Sequence, residues 1–158
     1  MIIEYDEKYI EEVKDLFVEL QEYIASIDKE GYNIVTPEYR EKNYEEEMKE
    51  IEEKQGKMFL YIEDNKVLGL VVGIIDNEER DEYHFKAPKR GRITELIVTK
   101  KVRSKGIGNK LITHMENYLK EQGCKAILLV VFAYNDIARS FYDKHKYHER
   151  VLDLIKVY

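Results

Sequence analysis

Apolar positions along the 158-residue chain change their period several times, and each change marks an element. Ile2 to Tyr5 reads as a short first strand. Asp6 follows as an N-cap, and Ile10, Val13, Phe17, Leu20, Ile24 and Ile27 recur at helical spacing. A loop from Asp28 to Val35 leads to Thr36-Pro37, which opens a second helix with Pro37 at its first position. Only Tyr44, Met48 and Ile51 form an apolar stripe between Glu38 and about Lys54. That segment therefore reads as a surface helix whose charged positions form a solvated face.

The period then shortens to that of strands. Met58 to Ile62 and Val67 to Ile75 are joined by Glu63-Asp64-Asn65-Lys66, a hairpin turn. Gly69 and Gly73 suggest a bulge or a close backbone approach. A polar stretch from Asp76 to Arg90 precedes a strand from Ile93 to Thr99. A helix follows with Ile107, Leu111, Met115, Tyr118 and Leu119 on its buried face, and Gly123 ends it. Ala126 to Phe132 is uninterrupted and apolar, as a strand covered on both faces would be. Asn135 caps a short helix on which Ala138 and Tyr142 share a face. Tyr147 to Tyr158 returns to β character, with Leu152 and Leu154 alternating against Asp153. No repeat or boundary interrupts the chain, so residues 1–158 are expected to form one domain.

Composition narrows the function. With 44% apolar residues the chain can bury a core, and a net charge of −6 argues against nucleic acid as a partner. No apolar run is long enough for a bilayer and no signal-peptide pattern begins the chain, so a cytoplasmic protein with no membrane association is expected. Cys124 is the single cysteine, which excludes an intrachain disulfide framework and a thiolate metal site. His145 and His148 lack a third ligand nearby, and no metal site is expected.

The chemistry concentrates around Ile93 to Asn109, ITELIVTKKVRSKGIGN. Arg103, Ser104, Lys105, Gly106, Ile107 and Gly108 give R-x-x-G-x-G at a strand-to-helix turn. Outward backbone N–H groups, the positive helix end and flanking cations there suit a phosphate or pyrophosphate. The spacing excludes a dinucleotide-binding fingerprint, because Leu111 stands where the third small residue belongs. It excludes a P-loop as well, because no Gly-Lys-Ser/Thr triplet follows. Glu95 interrupts its apolar strand. A carboxylate there is a candidate base with a raised pKa, the alternative being a salt-bridged or edge-facing residue.

Leu96 and Val98 in L-x-V, R-x-x-G-x-G at Arg103 to Gly108, and N-x-x-A-x-x-F-Y at Asn135 to Tyr142 resemble, in this order, the GNAT superfamily of acyl-CoA-dependent N-acetyltransferases. The resemblance covers the whole chain and implies an α/β GNAT fold. Its mixed central sheet would have splayed fourth and fifth strands, flanked by helices, in the order β-α-α-β-β-β-α-β-α-β. Lys100 departs from a frequent proline and Lys146 from the usual glycine before the aromatic at Tyr147, both affecting turn geometry more than chemistry.

The same resemblance implies acetyl-CoA as cosubstrate. Its pantetheine arm would pair with the backbone of Leu96, Ile97 and Val98, and its pyrophosphate would meet Arg103, Ser104, Lys105, Gly106, Ile107, Gly108 and Asn109. Asn135 and Ala138 would lie along the pantetheine and Tyr142 near sulfur. A backbone N–H near Val98 would stabilise the oxyanion. Glu95 would deprotonate the acceptor ammonium, directly or through water, and Tyr142 would protonate the departing thiolate. Tyr32, Tyr83 and Phe85 are candidate acceptor walls beside Glu95, with Glu78, Glu79, Asp81 and Glu82 nearby in sequence. The acceptor would be a small-molecule amine or a protein or peptide amine. A non-catalytic acyl-CoA sensor of the same fold is the alternative. A homodimer through a terminal strand is one option that the sequence does not decide.

Overall fold

The computed structural model describes residues 1–76, 84 and 86–158. Its strands are β1 (Ile2–Glu4), β2 (Lys57–Glu63), β3 (Lys66–Ile75), β4 (Arg90–Val98) and β5 (Ala126–Leu129). They form one sheet in sequential order, antiparallel from β1 to β4 and parallel between β4 and β5. The helices are α1 (Ile10–Ile27), α2 (Tyr39–Glu53), α3 (Ile107–Glu121) and α4 (Asp136–Lys144). None of the described helices is long and apolar enough to cross a membrane.

Local chemistry accounts for most boundaries. Asp6 caps as expected, but its Oδ1 accepts from Lys8 N at 3.0 Å to start a 3-10 turn, Glu7–Tyr9, ahead of α1. Thr36 to Glu38 likewise form a turn closed by Tyr39 N donating to Thr36 O at 3.1 Å. Pro37 thus precedes α2 instead of starting it. Asp64 and Asn65, at φ 49° and 61°, make the two-residue left-handed turn whose twist matches the β2–β3 hairpin.

Side-chain parity sorts the sheet into two faces. Leu60, Leu70, Val72 and Ile97 pack with Val13 and Phe17 on the α1 side. Phe59, Val71, Ile75 and Ile93 pack with Leu111, Ile112, Met115 and Leu119 of α3 on the other. Ile93 and Ile97 lie four residues apart, so an unbroken strand would place them on one face. They lie on opposite faces because β4 carries a bulge: Val72 pairs with Glu95 and Gly73 with Ile93, leaving Thr94 as the extra residue. The shift turns Glu95 to the α1–α2 side together with Ile97. The irregularity expected at Gly73 is therefore real, with its extra residue on the facing strand. At Gly69 both reasons apply: Tyr61 pairs with Gly69 and Ile62 with Val67, leaving Leu68 as an extra residue, and a Cβ on Gly69 would stand 2.6 Å from Ile97 O.

β4 and β5 pair only from Arg90 to Ile93, against Ala126 to Leu129. Beyond Ile93, no described strand pairs with the outer edge of β4, which is the splay that the family resemblance implied.

Two expectations are corrected. β5 ends at Leu129, short of Phe132, and the segment from Tyr147 to Tyr158 forms no strand. Tyr147 is anchored, its OH donating to Glu116 Oε1 at 3.0 Å and its ring centroid 5.8 Å from that of Tyr142. Beyond it Leu152 and Leu154 are 69% and 88% exposed. Alternation produces a strand only where a sheet edge takes up the backbone hydrogen bonds, and no edge meets this segment.

Candidate functional site

The basic turn is held from behind by α1. Glu19 accepts from Thr99 Oγ1 at 2.9 Å and from Lys100 N at 2.6 Å, fixing the end of β4 to that helix. Lys100 stands where the related pattern has proline, and a proline would lack the N–H that makes the second bond. Arg103 folds inward: its Nε donates to Val98 O at 3.1 Å and its guanidinium lies 5.4 Å from the Tyr23 ring centroid. One turn beyond Glu19, the hydroxyl of Tyr23 donates to Asn135 Oδ1 at 3.3 Å. The sequence reading missed Glu19 and Tyr23. Their i, i+4 spacing on the polar flank of α1 was the only local trace.

The turn itself offers backbone. Ser104 and Gly106 both adopt left-handed φ, 69° and 77°, and no side chain caps the first turn of α3. A Cβ on Gly106 would meet nothing within 4 Å, so glycine is favoured there by its φ alone. Gly108 is different, because a Cβ would come into van der Waals contact with the Phe141 ring at 3.4 Å, leaving no room for a side chain larger than a methyl group. Uncapped amides, positive helix polarity and the neighbouring Lys105 fit the diphosphate of CoA. Asn109 is engaged with α4, its Oδ1 lying 3.0 Å from His145 Nε2.

On α4, Asn135 is buried and caps the helix, its Oδ1 accepting from Ala138 N at 3.1 Å. This places Ala138 and Tyr142 on the first two turns, beside the widening gap between β4 and β5. Burial, and then the charge of Glu95, push the Tyr142 phenol up to about 12, so it keeps its proton at neutral pH.

Glu95 is the candidate base. Burial pushes its carboxyl up to about 8, with a further contribution from the charge of Glu47. Glu47, on α2, is itself pushed up to about 7 by burial and then by Glu50, while Thr94 Oγ1 donates to its Oε2 at 3.3 Å. The expectation that every charged position of α2 faces solvent is therefore incorrect. The β4 bulge brings Thr94 and Glu95 together toward this helix, and Glu47 meets them there. Helical spacing alone could not reveal this, because Glu47 lies beside the apolar stripe among many other glutamates.

Leu96, Ile97 and Val98 occupy the end of β4, paired with Val71, Leu70 and Gly69 on one edge only. Tyr32 is 66% exposed in the α1–α2 loop. Tyr83, Phe85, Glu78, Glu79, Asp81 and Glu82 lie outside the described residues. Cys124 is buried, and burial pushes its thiol up, which disfavours the thiolate a nucleophile needs.

A bulged fourth strand, a splayed parallel neighbour and a glycine turn opening onto a helix define an acyltransferase-type α/β fold. Residues 21–147 match the model of the acetyltransferase (GNAT) family, and the chain belongs to that family. It is 33% identical over 90 residues to an uncharacterized N-acetyltransferase of Methanocaldococcus jannaschii. The match covers 56% of this chain and 51% of that protein, so the aligned part spans about half the length of this curated relative. Among solved structures, a putative acetyl transferase from Pyrococcus furiosus superposes with a TM-score of 0.73 at 28% identity, covering 100% of this chain and 99% of its own. An aminoglycoside N-acetyltransferase in complex with CoA shares the fold, with a TM-score of 0.70 at 14% identity over 99% of each chain.

Proposed function

We propose that this protein is an N-acetyltransferase that moves the acetyl group of acetyl-CoA directly to a primary amine of a small-molecule or peptide acceptor. The observation that carries the reading is Glu95, a carboxylate raised to about 8 at the strand edge where β4 has lost its neighbour. Family membership supports the reaction class, and the CoA-bound relative of the same fold supports the cosubstrate.

Acetyl-CoA supplies an activated thioester carbonyl when bound. Leu96, Ile97 and Val98 offer an unpaired backbone edge to an extended arm, with an N–H near Val98 for the oxyanion. The segment from Arg103 to Asn109 meets the diphosphate, and Asn135 and Ala138 border the arm. Glu95 takes a proton from the acceptor ammonium, directly or through water. The freed amine would form the new C–N bond as the C–S bond breaks, Tyr142 would give its proton to the leaving sulfur, and the second proton lost from nitrogen would restore the phenol.

Calorimetric titration with acetyl-CoA and CoA, followed by thiol release across an amine panel, tests the reading. Micromolar binding that weakens in Arg103→Ala and Gly108→Val, with amine-dependent thiol release, is the expected result. Binding without release for any amine would replace it with a sensor role, and no binding would remove it.

A homodimer is the assembly we assign to the segment after Tyr147. Val151, Leu154 and Val157 are exposed there, and so is Val130 just after the end of β5, whose outer edge no described strand pairs. Reciprocal strand addition between two copies would cover both. Light scattering should give twice the 18.9 kDa chain mass, and a monomer would refute the assignment.

A further inference from the structure

We propose that Tyr39, Asn43 and Glu47 form the acceptor subsite, in which Glu47 holds a second ammonium group of a diamine-like acceptor while Glu95 receives the reacting nitrogen. The inference rests on the acetyl-transfer reading of Glu95 and adds to it the side of the site from which the acceptor is held.

Three observations converge on this stripe. Tyr39, Asn43 and Glu47 follow one another at i, i+4 on α2, so they line one flank of the helix. Glu47 is fastened to the bulged residue of β4 through Thr94, beside Glu95. One turn before it, the Nδ2 of Asn43 is buried and has no hydrogen-bond partner, the only such side-chain atom among the described residues. A buried donor left unpaired costs stability, and because Nδ2 is covered in the empty site, a bound molecule would satisfy it through a rotation of the Asn43 side chain.

Electrostatics selects the ligand. Burial, then Glu50 and Glu46 of α2, raise Glu47; burial, then Glu47, raise Glu95; and burial, then Glu95, raise the facing phenols of Tyr39 and Tyr142, with Glu47 adding to the first. A cation entering here would meet two carboxylates whose charged forms the empty site disfavours, and it would restore both. A metal ion is a poorer match, since no group of three or more ligating side chains gathers among the described residues. An organic diammonium needs only one carboxylate per nitrogen, with Asn43 for a neighbouring polar atom.

Glu47→Gln, Asn43→Leu and wild type are compared with 1,3-diaminopropane and with propylamine as acceptors. In Glu47→Gln, the KM for the diamine should rise at least about tenfold while the KM for acetyl-CoA stays constant. The acid limb of kcat/KM should also move to lower pH, because the neighbouring charge that raises Glu95 is gone. Asn43→Leu should weaken diamine binding while leaving the melting temperature unchanged or higher, whereas a purely structural Asn43 would lower it. A Glu47→Gln enzyme with unchanged diamine KM and pH profile overturns the proposal. Carboxyl 13C NMR of wild type titrated with 1,3-diaminopropane separates the two levels of inference. A shifted Glu47 signal without turnover keeps the subsite and removes acetyl transfer. A Glu47 signal that the diamine does not move removes the subsite.

Discussion

Glu41 and Glu47 lie six residues apart on α2 and experience opposite environments. Glu41 belongs to a cation-rich cluster: Lys14 and Arg40 contact it, and Arg40 also reaches Glu11 and Asp15 at 2.8 Å. Lys14, followed by Arg40, holds the Glu41 carboxyl below its usual range. Glu47 faces Thr94 and Glu95, where burial and other carboxylates raise it. The same residue type on one helix thus meets two environments: the first joins α2 to α1 by ion pairs, and the second sits beside Thr94 with its carboxyl pushed toward the protonated form. Asp76, at the far end of the β3–β4 pair, follows the first pattern, with Arg92 Nη2 2.8 Å and Arg90 Nη2 3.7 Å from its Oδ2. Where the fold buries a carboxylate for structure, it supplies a cation. At Glu95 the acting charge is another carboxylate.

Removing the carboxylate should have the largest effect. Glu95→Gln is expected to lower amine-dependent kcat/KM by about 10²–10⁴-fold, read by thiol release, and a Gln variant with wild-type turnover would erase the distinction. In wild type, kcat/KM should climb with pH and level off above about 8, as the basic form accumulates. Tyr142→Phe should cost less, about 10–100-fold in kcat with little change in the KM for acetyl-CoA.

Stability should move the other way. The folded value of Glu95, about 8, lies above its ordinary 4.5, so the fold favours the protonated form. Its contribution is neutral at low pH and turns destabilising as pH rises from about 4.5 to 8. Glu95→Gln should therefore melt like wild type near pH 4.5 and above it at pH 9, by at most about 5 kcal/mol. Denaturant melts at both pH values check the sign.

Smaller effects test the cation-rich side and the turn after α4. Lys146 holds φ 67° where the related pattern has glycine, and Lys146→Gly should stabilise by about 0.5–1 kcal/mol in chemical denaturation. Arg40→Ala should shift the melting temperature by less than about 3 °C, because its partners are mostly solvated. A larger drop would mean that the outer cluster, and not the apolar stripe of Tyr44, Met48 and Ile51, fastens α2 to the sheet.

The sequence by itself determined the succession of elements from β1 to α4, the hairpin at Asp64-Asn65, the glycine turn ahead of α3 and the cap at Asn135, since each follows from period or backbone chemistry within a few residues. It also singled out Glu95 as a carboxylate in an apolar strand. Only the tertiary structure decided which face Glu95 occupies, because one extra residue at Thr94 reverses the parity of β4 and strand alternation does not announce where a bulge falls. Tertiary packing likewise recruited Glu47 from a helix rich in charge, folded Arg103 back onto Val98 O, and left the alternating segment after Tyr147 without an edge to join. Those outcomes depend on contacts between residues far apart in the chain, which no local pattern encodes.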